Sequence, residues 1–211
     1  MNNSRTEQTI KAYNLNAKKY DAKFTDYSVY KNTILDFQKK HISQGATLLD
    51  LGCGPGQNIK AITARDQSIR ATGIDLSEEF VKIARQYNPT ATFVQANICE
   101  LKAERKYDVI LASFCIVHLN NEETENLIKF IADSLVANGT LYLSFMEGAG
   151  SGFETTSFSD EEIFFNYYNR IDIEHLLKTN GLNLMELQTE DYPEPDGSVT
   201  TDVFVYAAKE G

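Results

Sequence analysis

The stretch that most constrains this 211-residue chain is Thr47 to Asn58, Thr-Leu-Leu-Asp-Leu-Gly-Cys-Gly-Pro-Gly-Gln-Asn. Leu48, Leu49 and Leu51 form a short apolar run of the kind buried on both faces of a parallel sheet. Gly52, Gly54 and Gly56 follow, with Pro55 between the last two. Residues without a Cβ let a backbone turn sharply and approach a ligand closely. From Asn58 to Arg65 the residues favour helix, so the turn opens a helix whose first amides face the bend. Strand, glycine turn and helix seat a nucleotide-like ligand at the carboxyl edge of a parallel sheet. A tight turn with no ligand has the same local form, so spacing and the downstream pattern must decide.

A dinucleotide fingerprint places its third glycine three residues after the second, where this chain has Gln57. Here the glycines fall at every second position after Asp50. Asp50-Leu51-Gly52-Cys53-Gly54-Pro55-Gly56 closely resembles the first motif of class I S-adenosylmethionine-dependent methyltransferases. The resemblance makes Asp50, Gly52 and Gly54 candidate cofactor-binding residues. A nicotinamide oxidoreductase shares the strand, turn and helix but is opposed by the glycine spacing.

Ile69 to Asp75 reads as a second strand, and Ser77 as the N-cap of a helix with Glu78 and Glu79 in its first turn. In the resembling family an acid at the end of this strand holds the ribose hydroxyls, and the next apolar side chain lies against adenine. Asp75 and Leu76 stand at those places; an aspartate before a capped helix also has a purely structural use. Ala91 to Gln95 reads as a third strand. Asn97 follows it where family members commonly carry an aspartate toward the adenine amino group, and it keeps an acceptor oxygen without the charge. Ile98 then covers the adenine face or is ordinary core.

Tyr107 to Ser113 is the most hydrophobic strand and is expected to be central. It continues into Phe114-Cys115-Ile116-Val117-His118-Leu119, which resembles the family's fourth motif. On that resemblance Ser113 is a cofactor contact, and Phe114 and His118 are acceptor contacts. An imidazole with an ordinary pKa near 6.5 also suits a general base, and no catalytic residue is assigned beyond that alternative. The Asn/Asp-Pro-Pro-aromatic tetrad of enzymes that methylate exocyclic base amines is absent.

Lys11 to Lys40 reads as helical in pieces, and Ala12 to Asp21 resembles the leader of many small-molecule methyltransferases. There, Tyr13 and Tyr20 reach the methionine end of the cofactor or simply pack. Asn120 to Ala137 has helical apolar spacing and stops at Asn138-Gly139; Thr140 to Met146 is a fifth strand. Glu147 to Asp160 is rich in Gly, Ser and Thr and reads as a long loop leading to Phe164, Phe165, Tyr167 and Tyr168. Tyr168 is the candidate acceptor contact from this lid. Glu174 to Thr179 reads as a helix, and Leu182–Leu187 and Val199–Ala207 as two last strands joined through Pro193, Pro195 and Gly197.

These elements imply one α/β domain over residues 1–211, with a cap at 1–40 and a lid-like insertion at 147–170. The resemblance implies a Rossmann-like, mostly parallel seven-stranded sheet with an antiparallel last strand and helices on both faces. It also implies methyl transfer from S-adenosylmethionine to oxygen or nitrogen of a small-molecule acceptor. The alternatives are a cofactor-binding module without turnover and an RNA or protein methyltransferase.

Net charge decides against part of that field. The chain carries 20 Lys/Arg and 30 Asp/Glu, for a net −10. Residues 1–40 hold eight Lys/Arg against four acids, whereas residues 140–211 hold three against fourteen. An acidic body repels a phosphate backbone, so nucleic acid is disfavoured as a partner, and the basic N-terminal segment is expected to lie against acidic surface. No apolar run approaches the roughly 20 residues of a membrane helix, and no secretory signal opens the chain. Three widely spaced cysteines fit a reducing cytoplasm. Cys99, Cys115 and His118 lack metal-ligand spacing, so no metal is expected and both cysteines read as buried core. Nothing in the sequence specifies an oligomer.

Overall fold

The computed structural model describes residues 4–25, 27–193 and 197–211, so Pro195 of the last connection lies outside them. Its main sheet grows from β1 (Thr47–Leu51), flanked in parallel by β2 (Arg70–Asp75) and β4 (Tyr107–Ser113). β3 (Thr92–Gln95) extends it beyond β2, and β5 (Leu135–Met146) beyond β4, both parallel. β8 (Leu182–Pro193) and β9 (Val199–Lys209) complete the order β3-β2-β1-β4-β5-β9-β8, with β9 antiparallel to both neighbours.

Alternation along the buried strands sorts side chains between two cores. In β4, Val109 and Leu111 face one core while Ile110 and Ala112 face the other. The first is covered by α2 (Ser28–His41), α3 (Gln57–Arg65) and α4 (Glu78–Tyr87), through residues such as Phe37, Ile62 and Val81. The second is covered by α5 (Asn121–Ser134) and α6 (Arg170–Thr179), through Leu127, Ile131 and Leu177. The expected sheet, with helices on both faces, is therefore present. Basic residues near the amino end do meet acidic surface: Arg5 pairs with Glu123, and Lys40 lies 2.9 Å from Glu186. No helix among the described residues is long and apolar enough to cross a membrane.

Two elements differ from the sequence expectation. The helix expected to run to Ala137 ends at Ser134, and β5 begins at Leu135, which pairs with Tyr107. Lys209 Nζ donates to the Ala132 and Leu135 carbonyls, and Lys106 to that of Asp133, satisfying groups the helix end leaves open. Leu135 is buried by strand pairing, so its helical spacing from Ile131 is a coincidence of sequence. The second difference is at Glu147 to Asp160. Instead of a long loop, β6 (Ser151–Thr156) and β7 (Ser159–Asn166) form an antiparallel hairpin of their own. β6 is largely exposed and polar, so no apolar alternation advertised it.

Above the carboxyl edge of the sheet lies α1 (Ser4–Phe24), docked on this hairpin. Phe164 N donates to Thr9 Oγ1 at 3.2 Å, and Asn16 Nδ2 donates to Ser159 Oγ at 3.1 Å and Glu161 Oε2 at 2.7 Å. Ala12, Phe158 and Ile163 make a small third core between the two elements.

Candidate active site

Gly52, Gly54 and Gly56 all have positive φ, of 64°, 52° and 80°. A Cβ on Gly52 would come within 2.6 Å of the Cys115 Cβ, and one on Gly56 within 3.0 Å of the Ala84 Cβ. Those two are required by packing as well as by φ. Gly54 differs, because its Cβ would meet nothing within 4 Å. Its amide instead donates to Asp75 Oδ2 at 2.8 Å, while Asp75 Oδ1 accepts from Ser77 N at 2.8 Å. Ser77 caps α4 by accepting from Phe80 N, as its position predicts, and donates to Asn14 Oδ1 at 2.7 Å. Asp75 is thus clamped between the glycine turn and the start of α4. Burial pushes its carboxyl up to about 6, against the lowering effect of the Ser77 and Gly54 amides.

A cavity of about 720 Å³ opens along this edge and runs beneath α1. Gly52, Gly54, Asp75, Leu76, Asn97, Ile98 and Ser113 line it together with Tyr13, Tyr20, Phe114 and His118. Asn97 also caps a short 3-10 turn at Ile98–Glu100, its Oδ1 accepting from Cys99 N at 3.0 Å. Three expected placements need correction. Asp50 does not line the cavity: it is fully buried in β1, with no hydrogen-bond partner at either carboxyl oxygen. Burial and the nearby Asp75 charge raise its pKa well above the usual carboxylate range. Tyr168 faces the core, its hydroxyl 2.7 Å from Thr124 Oγ1 and donating to the Ile116 and Leu119 carbonyls at 2.8 and 2.9 Å. Its neighbour Tyr167 lines the cavity instead. The third is Cys99, which is exposed where a buried residue was expected, whereas Cys115 is buried. No group of three or more His, Cys, Asp or Glu among the described residues is placed to hold a metal ion.

His118 follows β4 on a short 3-10 turn, with its ring between two partners. Nδ1 lies 2.8 Å from the Phe164 carbonyl oxygen, which only accepts, so Nδ1 carries the proton. Nε2 is then an acceptor, and the Tyr13 hydroxyl at 2.9 Å donates to it. Burial pushes the imidazole down to about 4, outweighing the Phe164 carbonyl, so the ring is neutral near pH 7. A base role for His118 would therefore have to pass through the Tyr13 oxygen. Burial raises the Tyr13 phenol well above its ordinary value as well.

Phe114, singled out by its motif, is joined in the cavity wall by Tyr30 and Asp202, which no motif marked. Phe114 sits at the end of β4 in a left-handed conformation, φ 51°, unusual for a bulky side chain. Its amide donates to the Ser144 carbonyl at 3.1 Å and to Ser144 Oγ at 3.0 Å, which holds the strained turn. Tyr30 packs on Phe114, with ring centroids 4.9 Å apart, and its hydroxyl donates to Asp202 Oδ2 at 2.7 Å. Asp202 lies in β9 opposite Met146 of β5. One sequence signal did mark it: a carboxylate interrupting Val199-Thr-Thr-Asp-Val-Phe-Val-Tyr206.

Comparison with known proteins places this geometry. Residues 48–139 match a methyltransferase domain family. Over those residues the chain resembles a methyltransferase domain. A trans-aconitate 2-methyltransferase of Klebsiella pneumoniae is 34% identical over 94 residues, covering 44% of this chain and 36% of that protein. An uncharacterized methyltransferase of Alkaliphilus oremlandii is 25% identical over 187 residues, covering 88% and 77%. The Burkholderia thailandensis 1,6-didemethyltoxoflavin N1-methyltransferase has the same fold, with a TM-score of 0.72 at 18% identity over 100% of this chain and 92% of that one. Its structure holds 1,6-didemethyltoxoflavin and S-adenosylhomocysteine. The chain spans less than half the length of the curated relatives it matches first, at 49%, 36% and 47%.

The residues of this chain fit the cofactor of such methyltransferases on two observations of its own structure. Gly54 leaves open the space that a side chain would fill, and the Asp75 carboxylate lies beside it at the cavity wall. Leu76 and Ile98 supply apolar surface on the same side.

Proposed function

We propose that this protein transfers the methyl group of S-adenosylmethionine to nitrogen or oxygen of a small-molecule acceptor. The observation that carries the reading is the Asp75 carboxylate, clamped 2.8 Å from the Gly54 amide on the wall of a cavity that runs beneath α1. The cofactor, when bound, supplies a sulfonium methyl already activated for in-line attack. Asp75 would accept from the ribose hydroxyls with lone pairs not used by Gly54 and Ser77, and Leu76, Asn97 and Ile98 would take the adenine. Ser113 and the Tyr13 and Tyr20 rings would bound the methionine end, while Phe114 and His118 face the acceptor. Their work is positional: holding two reactants in line in a dry pocket is worth up to about 7–11 kcal/mol.

α1 and the β6–β7 hairpin together serve as the cover that keeps water out. Support for a small acceptor comes from that cover, which narrows the cavity between α1, the hairpin and the sheet edge, and from a charge of −10 that opposes nucleic acid. Calorimetry with S-adenosylhomocysteine tests the reading. Asp75→Ala removes two charge-assisted hydrogen bonds of about 1.5–3 kcal/mol each, so affinity should fall by at least about tenfold. The variant also releases the Gly54 and Ser77 amides, so a thermal melt must first show that it is folded. Unaltered affinity in a folded Asp75→Ala protein would remove Asp75 from the cofactor site.

A further inference from the structure

The cavity wall at Asp202 carries information about the acceptor, and the inference rests on the methyltransferase reading of the cavity. We propose that the acceptor is an amine, delivered as its ammonium ion to a subsite formed by Asp202 and the rings of Tyr27, Tyr30 and Phe114. Asp202 is 2% exposed and lines the cavity wall. Tyr30 is hydrogen-bonded to it, and Tyr27 packs on Tyr30 with centroids 4.6 Å apart. The faces of such rings attract a cation through their quadrupoles.

The balance of charge around the cavity points the same way. Among the described residues, the buried charged groups lining the cavity are Asp75 and Asp202, both carboxylates. Asp75 is engaged by Gly54 and Ser77. Lys31, Lys60 and Arg65 reach the cavity from exposed positions on its rim. Lys23 is held by Ser157 and lies over Phe24 and Tyr192. His118 is neutral near pH 7. A carboxylate or phosphate acceptor would therefore be desolvated beside a buried carboxylate without a buried cation to meet it. An ammonium meets both the carboxylate and the ring faces. The aromatic wall without Asp202 would suit a neutral acceptor equally well, so the carboxylate is what selects the amine.

Asp202 also answers a chemical need, because an ammonium has no lone pair. One N–H bond breaks with its electron pair left on nitrogen, and the proton binds an Asp202 carboxylate oxygen. The neutral amine then uses that pair to form the N–CH₃ bond as the S–CH₃ bond breaks with its pair returning to sulfur. The N-methyl ammonium product leaves, and Asp202 returns its proton to solvent.

The test uses three probes of similar shape, phenethylamine, 2-phenylethanol and phenylacetate, titrated by NMR into the full chain with and without saturating S-adenosylhomocysteine. That ligand lacks the sulfonium charge, so any preference belongs to the protein. Phenethylamine should bind at least about tenfold more tightly than the alcohol, with phenylacetate weakest. Asp202→Asn should reduce the amine-to-alcohol ratio to below about threefold while S-adenosylhomocysteine affinity is kept. Should Asp202→Asn fail to fold, Tyr30→Phe keeps the carboxylate and removes a donor that partly neutralises it, so amine preference should hold or increase. Absence of saturable phenethylamine binding, tighter phenylacetate binding, or a preference untouched by Asp202→Asn would overturn the proposal. Failure to bind S-adenosylhomocysteine would instead sink the methyltransferase reading, and the probe ratios without that ligand would still decide the amine subsite.

Discussion

His118 sits between the Phe164 carbonyl and the Tyr13 hydroxyl, and those two partners fix its tautomer, its charge and its use. With Nδ1–H donated to Phe164, the basic lone pair on Nε2 is occupied by a phenol rather than aimed at the acceptor. Because burial is the main cause of the low His118 pKa, Tyr13→Phe should leave the ring neutral near pH 7 while removing the donor to Nε2 and so shifting the Nε2 resonance. Nitrogen chemical shifts recorded against pH would read both the tautomer and the titration. An Nε2–H tautomer in the wild-type protein, or an Nε2 shift indifferent to Tyr13→Phe, would break this assignment. The motif did bring His118 and Tyr13 to notice separately, but not their pairing. Tyr13 and Phe164 lie 105 and 46 residues from His118 in the chain, and only the docking of α1 and β7 joins them. Asp75 and Gly54 were legible because the glycine turn and the next strand end are local features of fixed spacing. Asp50 was misplaced because its motif position gives no indication of whether its side chain faces ligand or core.

At the scale of elements, local pattern and long-range packing divided in the same way. Strands β1, β2 and β4 have enough apolar side chains to be read directly, since both their faces are buried. The hairpin was not legible: β6 buries little, and β7 packs on α1 and on the turn that carries His118, so its stabilising partners lie far away in sequence. That mutual dependence gives a prediction. Thr9, Ala12 and Asn16 of α1 grip Ser159 to Phe164 of β7, so the two elements should open and close as one unit. Bound S-adenosylhomocysteine should slow amide exchange in residues 4–24 and 151–166 together, by about tenfold or more. Asn16→Ala, which cuts the links to Ser159 and Glu161, should speed exchange in both segments of the free protein. Protection of α1 alone would reduce the hairpin to surface decoration.

For the whole molecule, His118 and Asp75 are buried groups that titrate in opposite senses. Between pH 6.5 and about 4 the unfolded chain takes up a proton at His118 that the folded protein refuses, so stability falls as acid is added. Asp75 behaves conversely: between about 6 and 3.8 the folded protein takes up a proton that the unfolded chain does not, so acid stabilises it. The His118 and Asp75 contributions oppose each other over most of that range, and Asp50, whose folded carboxyl is also raised by burial, adds to the side on which acid stabilises. Cofactor shifts the balance, because ribose hydroxyls donating to Asp75 favour its ionised form and pull its pKa down. Below pH 6 binding must then expel a proton, and affinity should fall toward about tenfold for each pH unit. S-adenosylhomocysteine should accordingly raise Tm more at about pH 7.5 than at about pH 5. Calorimetry in buffers of different ionisation enthalpy would count the released proton directly. Asp75→Asn, which cannot ionise, should bind more weakly at neutral pH and lose the slope altogether. A wild-type affinity level from about pH 5 to 7.5 would mean that the cofactor does not lean on the Asp75 charge, and the clamp at Gly54 would then be the whole of that carboxylate's work.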